Sequence, residues 1–73
     1  MTTIKVIELI GESQKSWTEA VENAIAEACE TIDGISGVEI LSLKGTVRDG
    51  KIVEYKANVQ LAFPVRDKRE QNL

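Results

Sequence analysis

The stretch at residues 48–65, RDGKIVEYKANVQLAFPV, contains a turn and a strand that together decide the architecture of the chain. Asp49 and Gly50 both tolerate positive φ, which a two-residue turn between antiparallel strands requires. From Ile52 to Val65 apolar and polar side chains alternate, and this period of two is typical of a strand with one covered face. The stretch therefore predicts a β-hairpin whose second strand is long.

The two faces of this long strand differ in polarity. One face carries mainly apolar side chains: Val53, Tyr55, Ala57, Val59, Leu61, Phe63 and Val65. The opposite face carries a polar row: Glu54, Lys56, Asn58 and Gln60. We expect the apolar face to meet a helix. The polar row is consistent with a solvated surface or with the lining of a pocket or internal cavity between subunits, and both interpretations stay open.

Two further strands are predicted upstream. Residues Thr3 to Ile10 are apolar and β-branched, end at Gly11, and place apolar side chains on both faces, so both faces need a cover. Residues Val38 to Val47 predict the strand that precedes the hairpin.

One helix is predicted from Trp17 to Ile32, where apolar residues recur every three or four positions. Its start matches a capping box from Ser16 to Glu19, and Asp33-Gly34 is typical of a helix stop. Small side chains on the apolar stripe would let the helix lie close to the sheet. We expect the core to contain Val21, Ile25, Val59 and Leu61.

The order β-α-β-β limits the topology. A right-handed crossover makes the first two strands parallel, and the hairpin makes the third antiparallel to the second. The simplest fold is α+β, a three-stranded antiparallel sheet of order 1-3-2 with one helix on one face. A helix of about 16 residues spans ~24 Å, whereas the third strand spans ~45 Å. The end around Leu61, Phe63 and Val65 should therefore overhang the helix and need cover from partner subunits.

The composition excludes several classes of protein. The 73 residues predict one domain, 1–73, with a flexible charged tail at 66–73. The net charge of −3 argues against nucleic-acid binding, and the absence of histidine argues against a Cys/His zinc site. Neither a membrane span nor a signal peptide is evident, so we expect no membrane partner and a cytoplasmic location.

Catalytic patterns are weak, and we expect no enzymatic activity. Cys29 is the only cysteine, and no histidine could activate it, so a buried or half-buried structural thiol is expected. The Lys15-Ser16 pair follows Gln14 rather than the glycine of a phosphate-binding loop and indicates a turn and helix cap. A weaker alternative is that the helix N-terminus beside Lys15 attracts an anion.

Four segments together resemble the dodecin family over roughly residues 4–65. They are KVIELIGES at 5–13, SWTEAVENAIAEACETI at 16–32, GVEI at 37–40 and DGKIVEYKANVQLAF at 49–63. The resemblance implies the β-α-β-β fold and a homododecamer. That assembly is a hollow shell of cubic symmetry with helices outside and sheet faces turned toward the cavity.

The resemblance also implies candidate ligand-binding residues. Flavin-binding dodecins stack paired rings of FMN or riboflavin on a tryptophan after the helix, and that position is Gly37 here. Their glutamine in the third strand corresponds to Lys56, whereas Lys44 keeps a basic residue of bacterial members. We therefore expect a storage shell for a small planar or anionic ligand, with flavin binding weakened or lost. The alternative is a purely structural shell, or one in which acidic residues near subunit junctions hold calcium or similar ions. The resemblance implies this alternative because calcium binding is associated with part of the group lacking the tryptophan.

Overall fold

The computed structural model describes residues 2–66 as four elements. These are β1 (Thr2–Ser13), α1 (Trp17–Cys29), β2 (Gly37–Arg48) and β3 (Lys51–Arg66). The strands form one antiparallel sheet of order β1-β3-β2, which confirms the predicted α+β topology. The predicted flexible tail lies outside the described residues, except for Arg66, which ends β3.

The sequence predicted that the first strand ends at Gly11, but this prediction is wrong. The strand continues to Ser13, which pairs with Tyr55. A Cβ atom at Gly11 would lie 1.9 Å from the carbonyl oxygen of Ala20 and 3.0 Å from the Cβ of Ala24. The glycine is therefore needed because the helix backbone passes directly over the strand at this point, a close approach that only glycine allows.

The helix begins as predicted but ends early. The Ser16 hydroxyl accepts a hydrogen bond from the Glu19 backbone N–H at 3.0 Å. The reciprocal half of the capping box is absent, because the Glu19 carboxylate instead accepts from the Ser13 hydroxyl. The last helical residue is Cys29 rather than Ile32. The expected left-handed glycine, Gly34 with φ of 77°, lies in the connection that follows rather than at the helix end.

The core is built from small helical residues packed on the central strand. Ala20, Ala24 and Ala28 form the buried stripe of α1. Beneath them lie three buried residues of β3: Ala57, Val59 and Leu61. The prediction for Val59 and Leu61 is confirmed, but Val21 and Ile25 are only partly buried at the edge of this core. The alanine stripe occupies its centre because the helix approaches so closely.

The helix covers the sheet unevenly across its width. It packs mainly against β1 and β3, and although Trp17 reaches Lys44 of β2, much of the helix side of β2 stays open. On that side Val38, Ile40 and Leu43 are 46%, 52% and 50% exposed. The predicted overhang at the end of β3 is only partly correct, since Leu61 is fully buried and Val65 is 40% exposed. The larger uncovered surface lies beside the helix rather than beyond it.

The hairpin between β2 and β3 has the predicted turn and two unpredicted irregularities. Asp49 and Gly50 have φ of 54° and 77°, as a type I′ turn requires. The register shifts once between Thr46 and Val47 and again between Ile40 and Ser42. Between these shifts Lys44 pairs with Lys56, whereas an unshifted ladder from the Arg48–Lys51 pair would set it opposite Tyr55.

Nowhere in residues 2–66 is a helix both long enough and apolar enough to cross a bilayer.

Candidate functional site

The candidate ligand-binding residues lie on the helix-free face, which is the side of the sheet opposite α1. Successive side chains of a strand point to opposite faces, and Ala57, Val59 and Leu61 lie beneath the helix. The intervening polar row of β3 therefore points away from α1, as predicted. By register, this face also includes Lys44 opposite Lys56 and Gly37 opposite Ala62.

Lys56 lies at the centre of a small charged group. Its Nζ is 3.8 Å from Glu12 Oε1 and 3.6 Å from Glu54 Oε1. The Lys56 side chain is 39% exposed, so each pair contributes no more than about 1 kcal/mol to stability. The two carboxylates nevertheless offset the positive charge that Lys56 would otherwise present beside Lys44.

Lys44 presents its charge differently. Within residues 2–66 no carboxylate lies within 4.0 Å of its ammonium group. Its register partner, Lys56, is also positive, and like charges directly opposite one another in a sheet are destabilising. An anion between Lys44 and Lys56 would relieve that repulsion, so this pair fits an anionic group better than a neutral one.

Trp17 fixes the backbone beneath Lys44. Its indole N–H donates to the Lys44 carbonyl oxygen at 2.8 Å. Its ring meets Tyr55 edge-to-face, with centroids 4.8 Å apart and planes at 85°. The position beneath the indole is Gly45, where a Cβ would lie 3.6 Å from Trp17 Cζ2. The sequence indicated Trp17 only as the first residue of the helix; a glycine inside a predicted strand was the available signal for this contact.

Gly37 lies far from the two lysines. Its partner Ala62 is six residues from Lys56 along β3, which corresponds to roughly 20 Å. One chain therefore brings Lys44 and Lys56 together but does not bring Gly37 to them. A ligand that met all three positions would have to contact more than one chain, or the positions belong to separate sites.

The space at Gly37 is open. A Cβ there would meet only the Ala62 Cβ within 4 Å, at an ordinary contact distance of 3.8 Å. The backbone at Gly37 is not among the positive-φ positions. Neither local space nor backbone conformation therefore requires glycine, and a larger side chain fits on the chain as it stands.

Asn58 is a polar feature that the sequence did not single out. Its Oδ1 atom is buried, and no donor of the described part of the chain reaches it. Asn58 lies between Ile10 of β1 and Ser42 of β2 in the ladder. A buried acceptor left unpaired costs about 1–3 kcal/mol, which a donor from outside the chain would recover.

The helix-free face of β1 carries three exposed apolar side chains among its glutamates. Ile4, Val6 and Ile10 point away from the helix and are 59%, 53% and 66% exposed. Ile10 lies opposite Asn58 of the polar row, whereas Ile4 and Val6 lie opposite Pro64 and Ala62. Several exposed apolar side chains on one face are typical of an interaction site.

One other sequence expectation, for Cys29, is corrected, and one, for the helix N-terminus, stays a prediction. Cys29 is exposed rather than buried or half-buried, because it lies one position beyond the buried Ala28. At the helix N-terminus the backbone N–H groups of Lys15 and Ser16 donate to Ser13 Oγ. Glu19 N–H donates to Ser16 Oγ, so these three N–H groups have partners within the chain, and anion binding at the helix N-terminus stays a prediction.

Metal ligands are sparse within one chain. Across residues 2–66 no group of three or more aspartate, glutamate, cysteine or histidine side chains could hold a metal ion. A calcium site built from carboxylates would therefore need oxygen ligands from more than one chain.

The comparison with known proteins agrees with this fold. The sequence model of the family described as Dodecin matches residues 3–66. The chain belongs to the dodecin family. It is 27% identical over 66 residues to the calcium dodecin of Mycobacterium tuberculosis, covering 90% of this chain and 93% of that one. It is 25% identical over 63 residues to the dodecin of Thermus thermophilus, covering 86% and 91%.

Solved dodecin structures superpose closely on the chain. The dodecin of Streptomyces coelicolor does so with a TM-score of 0.84 and 26% identity over 90% of this chain and 94% of that one. The calcium dodecin of Mycobacterium tuberculosis does so with a TM-score of 0.75 and 31% identity, covering 88% and 91%. That protein is described as a calcium-chelating antigen with a novel calcium-binding site.

Proposed function

We propose that this dodecin assembles into a hollow homododecamer that binds and stores a small molecule and does not catalyse a reaction. The observation that carries this proposal is the apolar surface left open on both sides of the sheet. Ile4, Val6 and Ile10 are exposed on the helix-free face. Val38, Ile40 and Leu43 are exposed on the helix face.

A thin core gives independent support. Leu61 and Val59 are the only large side chains of the described residues that are fully buried. A domain this small buries little surface alone, and association with partner subunits supplies the stability that its core lacks. The unpaired Oδ1 of Asn58 also favours contact with a group outside the chain.

Light scattering after size exclusion tests the assembly. We expect a mass of about 96 kDa, twelve times the 8.0 kDa of the chain. A monomer or dimer at micromolar concentration would contradict the proposal.

We further propose that flavins bind weakly or not at all. Glycine at position 37 provides no aromatic face, and stacking contributes about 0.5–1.5 kcal/mol per aromatic pair beyond burial. Lysine at position 56 can donate a hydrogen bond but cannot accept one, unlike glutamine. The Lys56 ammonium is also held between Glu12 and Glu54. Ring stacking and edge recognition are therefore both weakened.

Titration with FMN and riboflavin, followed by quenching of flavin fluorescence, tests this proposal. We expect Gly37→Trp with Lys56→Gln to gain affinity, and each single change to gain less. Gly37→Leu is the matched control, because it adds bulk without an aromatic face and should gain nothing. If Lys56 instead binds the phosphate, Gly37→Trp alone should suffice for FMN but not for riboflavin. Nanomolar binding by the unmodified protein would contradict the assigned role of Gly37.

Calcium binding is the second candidate, supported by the similarity to the calcium dodecin of Mycobacterium tuberculosis. Because one chain offers no three-ligand group within residues 2–66, the site would combine carboxylates at subunit junctions. Native mass spectrometry before and after chelation tests this candidate. Calcium released by the chelator and rebound by the intact assembly would support it, and an assembly that never takes up calcium would exclude it.

A further inference from the structure

A small polar pocket lies at the hairpin end of the sheet. This hairpin pocket has a volume of about 180 Å³ and is lined by Gln14, Thr46, Arg48, Val53 and Glu54. Pockets that hold drug-sized ligands measure about 300–1,000 Å³, so a flavin is too large for it. All of the lining side chains except Val53 are polar or charged. The pocket therefore fits a small molecule that forms hydrogen bonds.

The hairpin pocket lies at an irregularity of the sheet. Thr46 pairs with Glu54 and Val47 pairs with Ile52, which leaves Val53 without a partner in the ladder. An extra residue of this kind bends its strand and re-aims neighbouring side chains, and such bulges are common beside functional sites. The pocket is thus built by a specific feature of the hairpin rather than by a loose surface loop.

Arg48 supplies a positive charge to the pocket. It lies two positions after Thr46 on β2, so both side chains point to the same face. Among residues 2–66 no carboxylate lies within 4.0 Å of its guanidinium group. A guanidinium group binds a carboxylate through two parallel hydrogen bonds, which is the geometry that it matches best. Arg48 can therefore bind an anionic group of a ligand.

Glu54 supplies the opposite charge. Its Oε1 accepts from the Thr46 hydroxyl at 3.3 Å and lies 3.6 Å from Lys56 Nζ. Both contacts are made by Oε1, and no hydrogen bond from the described part of the chain reaches Oε2. Each carboxylate oxygen has two lone pairs, and the Glu54 side chain is 36% exposed. Oε2 can therefore accept from an ammonium or hydroxyl group of a ligand.

Arg48 and Glu54 line the same pocket without pairing with each other, because their charged groups lie more than 4.0 Å apart. A molecule that carries both charges can bridge this gap, with its carboxylate on Arg48 and its ammonium group on Glu54. A molecule with two negative charges would be repelled by Glu54. The Thr46 oxygen and the Gln14 amide offer further hydrogen bonds, and Val53 offers an apolar contact.

We propose that the hairpin pocket binds a small zwitterion of the size of an amino acid. The site goes beyond the proposed storage function, because it involves neither Gly37 nor a planar ligand. All of its residues belong to one chain. It is connected to the charged group described above only through Glu54, which also holds Lys56.

Saturation-transfer NMR with L-alanine tests the proposal on the unmodified protein. L-alanine carries both charges and a methyl group that can contact Val53. Propionate lacks the ammonium group, and ethylamine lacks the carboxylate. Loss of one charge-assisted hydrogen bond weakens binding about tenfold, so we expect each analogue to bind about tenfold more weakly than L-alanine. This comparison needs no variant and so does not depend on whether a variant folds.

Single substitutions test which residues hold the two charges. Arg48→Gln and Glu54→Gln each remove one charge and keep a polar side chain, and each should weaken L-alanine binding about tenfold. Lys51→Gln is the matched control for Arg48, because Lys51 is its ladder partner but does not line the pocket. Glu8→Gln is the matched control for Glu54, because it removes an exposed carboxylate outside the pocket. Both controls should bind L-alanine as the unmodified protein does.

Three results would overturn the proposal. They are an absence of saturation transfer to L-alanine, equal binding of propionate and L-alanine, and binding that either Arg48→Gln or Glu54→Gln leaves unchanged. Light scattering tests the shell separately. A monomer that binds L-alanine would contradict the shell and support this site, whereas a dodecamer that does not bind it would support the shell and contradict this site.

Discussion

Replacing Gly11 with alanine should destabilise the fold strongly. The added Cβ would lie 1.9 Å from the Ala20 carbonyl oxygen and 3.0 Å from the Ala24 Cβ, and real Cβ atoms essentially never come closer than 3.0 Å. Both obstacles are atoms that no side-chain rotation can remove, so the helix must shift by about 1 Å. Overpacking of this kind costs typically ~1–3 kcal/mol, and we expect the upper end of that range. For a domain of this size, that lowers the melting temperature by roughly 12–24 °C.

Gly37→Ala is the matched control for this substitution. Its Cβ would lie 3.8 Å from the Ala62 Cβ, and its φ is not positive. The change should be neutral or stabilise by about 0.4–1 kcal/mol, because alanine restricts the unfolded chain. Both variants should be unfolded thermally at one fixed protein concentration, since assembly shifts apparent stability. If the free energies of unfolding of the two variants agree within about 0.5 kcal/mol, the close approach of α1 to β1 is wrong.

Other substitutions test the core, the cap and the turn. Leu61→Ala should lower the free energy of unfolding, measured with denaturant, by about 2–5 kcal/mol. Ile25→Ala should lower it clearly less, because Ile25 is only half-buried, and equal losses would contradict the observed core. Ser16→Ala removes the acceptor of the Glu19 N–H and should cost about 1 kcal/mol in thermal unfolding followed by helical circular dichroism. Gly50→Ala forces a side chain to φ of 77° and should cost about 1–2 kcal/mol in the same assay, and an unchanged stability would argue against the type I′ turn.

The sequence predicted the parts of the fold that depend on local chemistry. Alternation along β3 and the Asp49-Gly50 turn define the hairpin without knowledge of anything distant. Gly11 illustrates what local chemistry cannot reveal, because its reason is a contact with Ala20, nine positions away and in another element. The alanine stripe indicated that the helix lies close to the sheet. It did not indicate the strand residue at which the two backbones come closest.

The candidate site also depends partly on features that local sequence does not reveal. The hairpin alone would pair Lys44 with Tyr55 and so turn the lysine toward the helix. The register shift between Thr46 and Val47 instead sets Lys44 opposite Lys56 on the helix-free face. Such irregularities move a whole run of side chains to the other face of a sheet, and no residue pattern marked them in this sequence. The distance between Gly37 and the lysines likewise depends on register, which family resemblance does not provide.

The central position of β3 has a consequence for the order of events during synthesis. Both outer strands pair only with β3, which is the last element of the described chain to leave the ribosome. No part of the sheet can therefore form while β1, α1 and β2 emerge from the ribosome. During this time their apolar side chains are not packed against β3. Once residues 51–66 are free, the β2–β3 hairpin can close within microseconds because its contacts are local. Pairing of β1 with β3 requires closure of a loop of about forty residues, so it is the slower step. Until it is complete, the exposed apolar side chains make the nascent chain prone to aggregation.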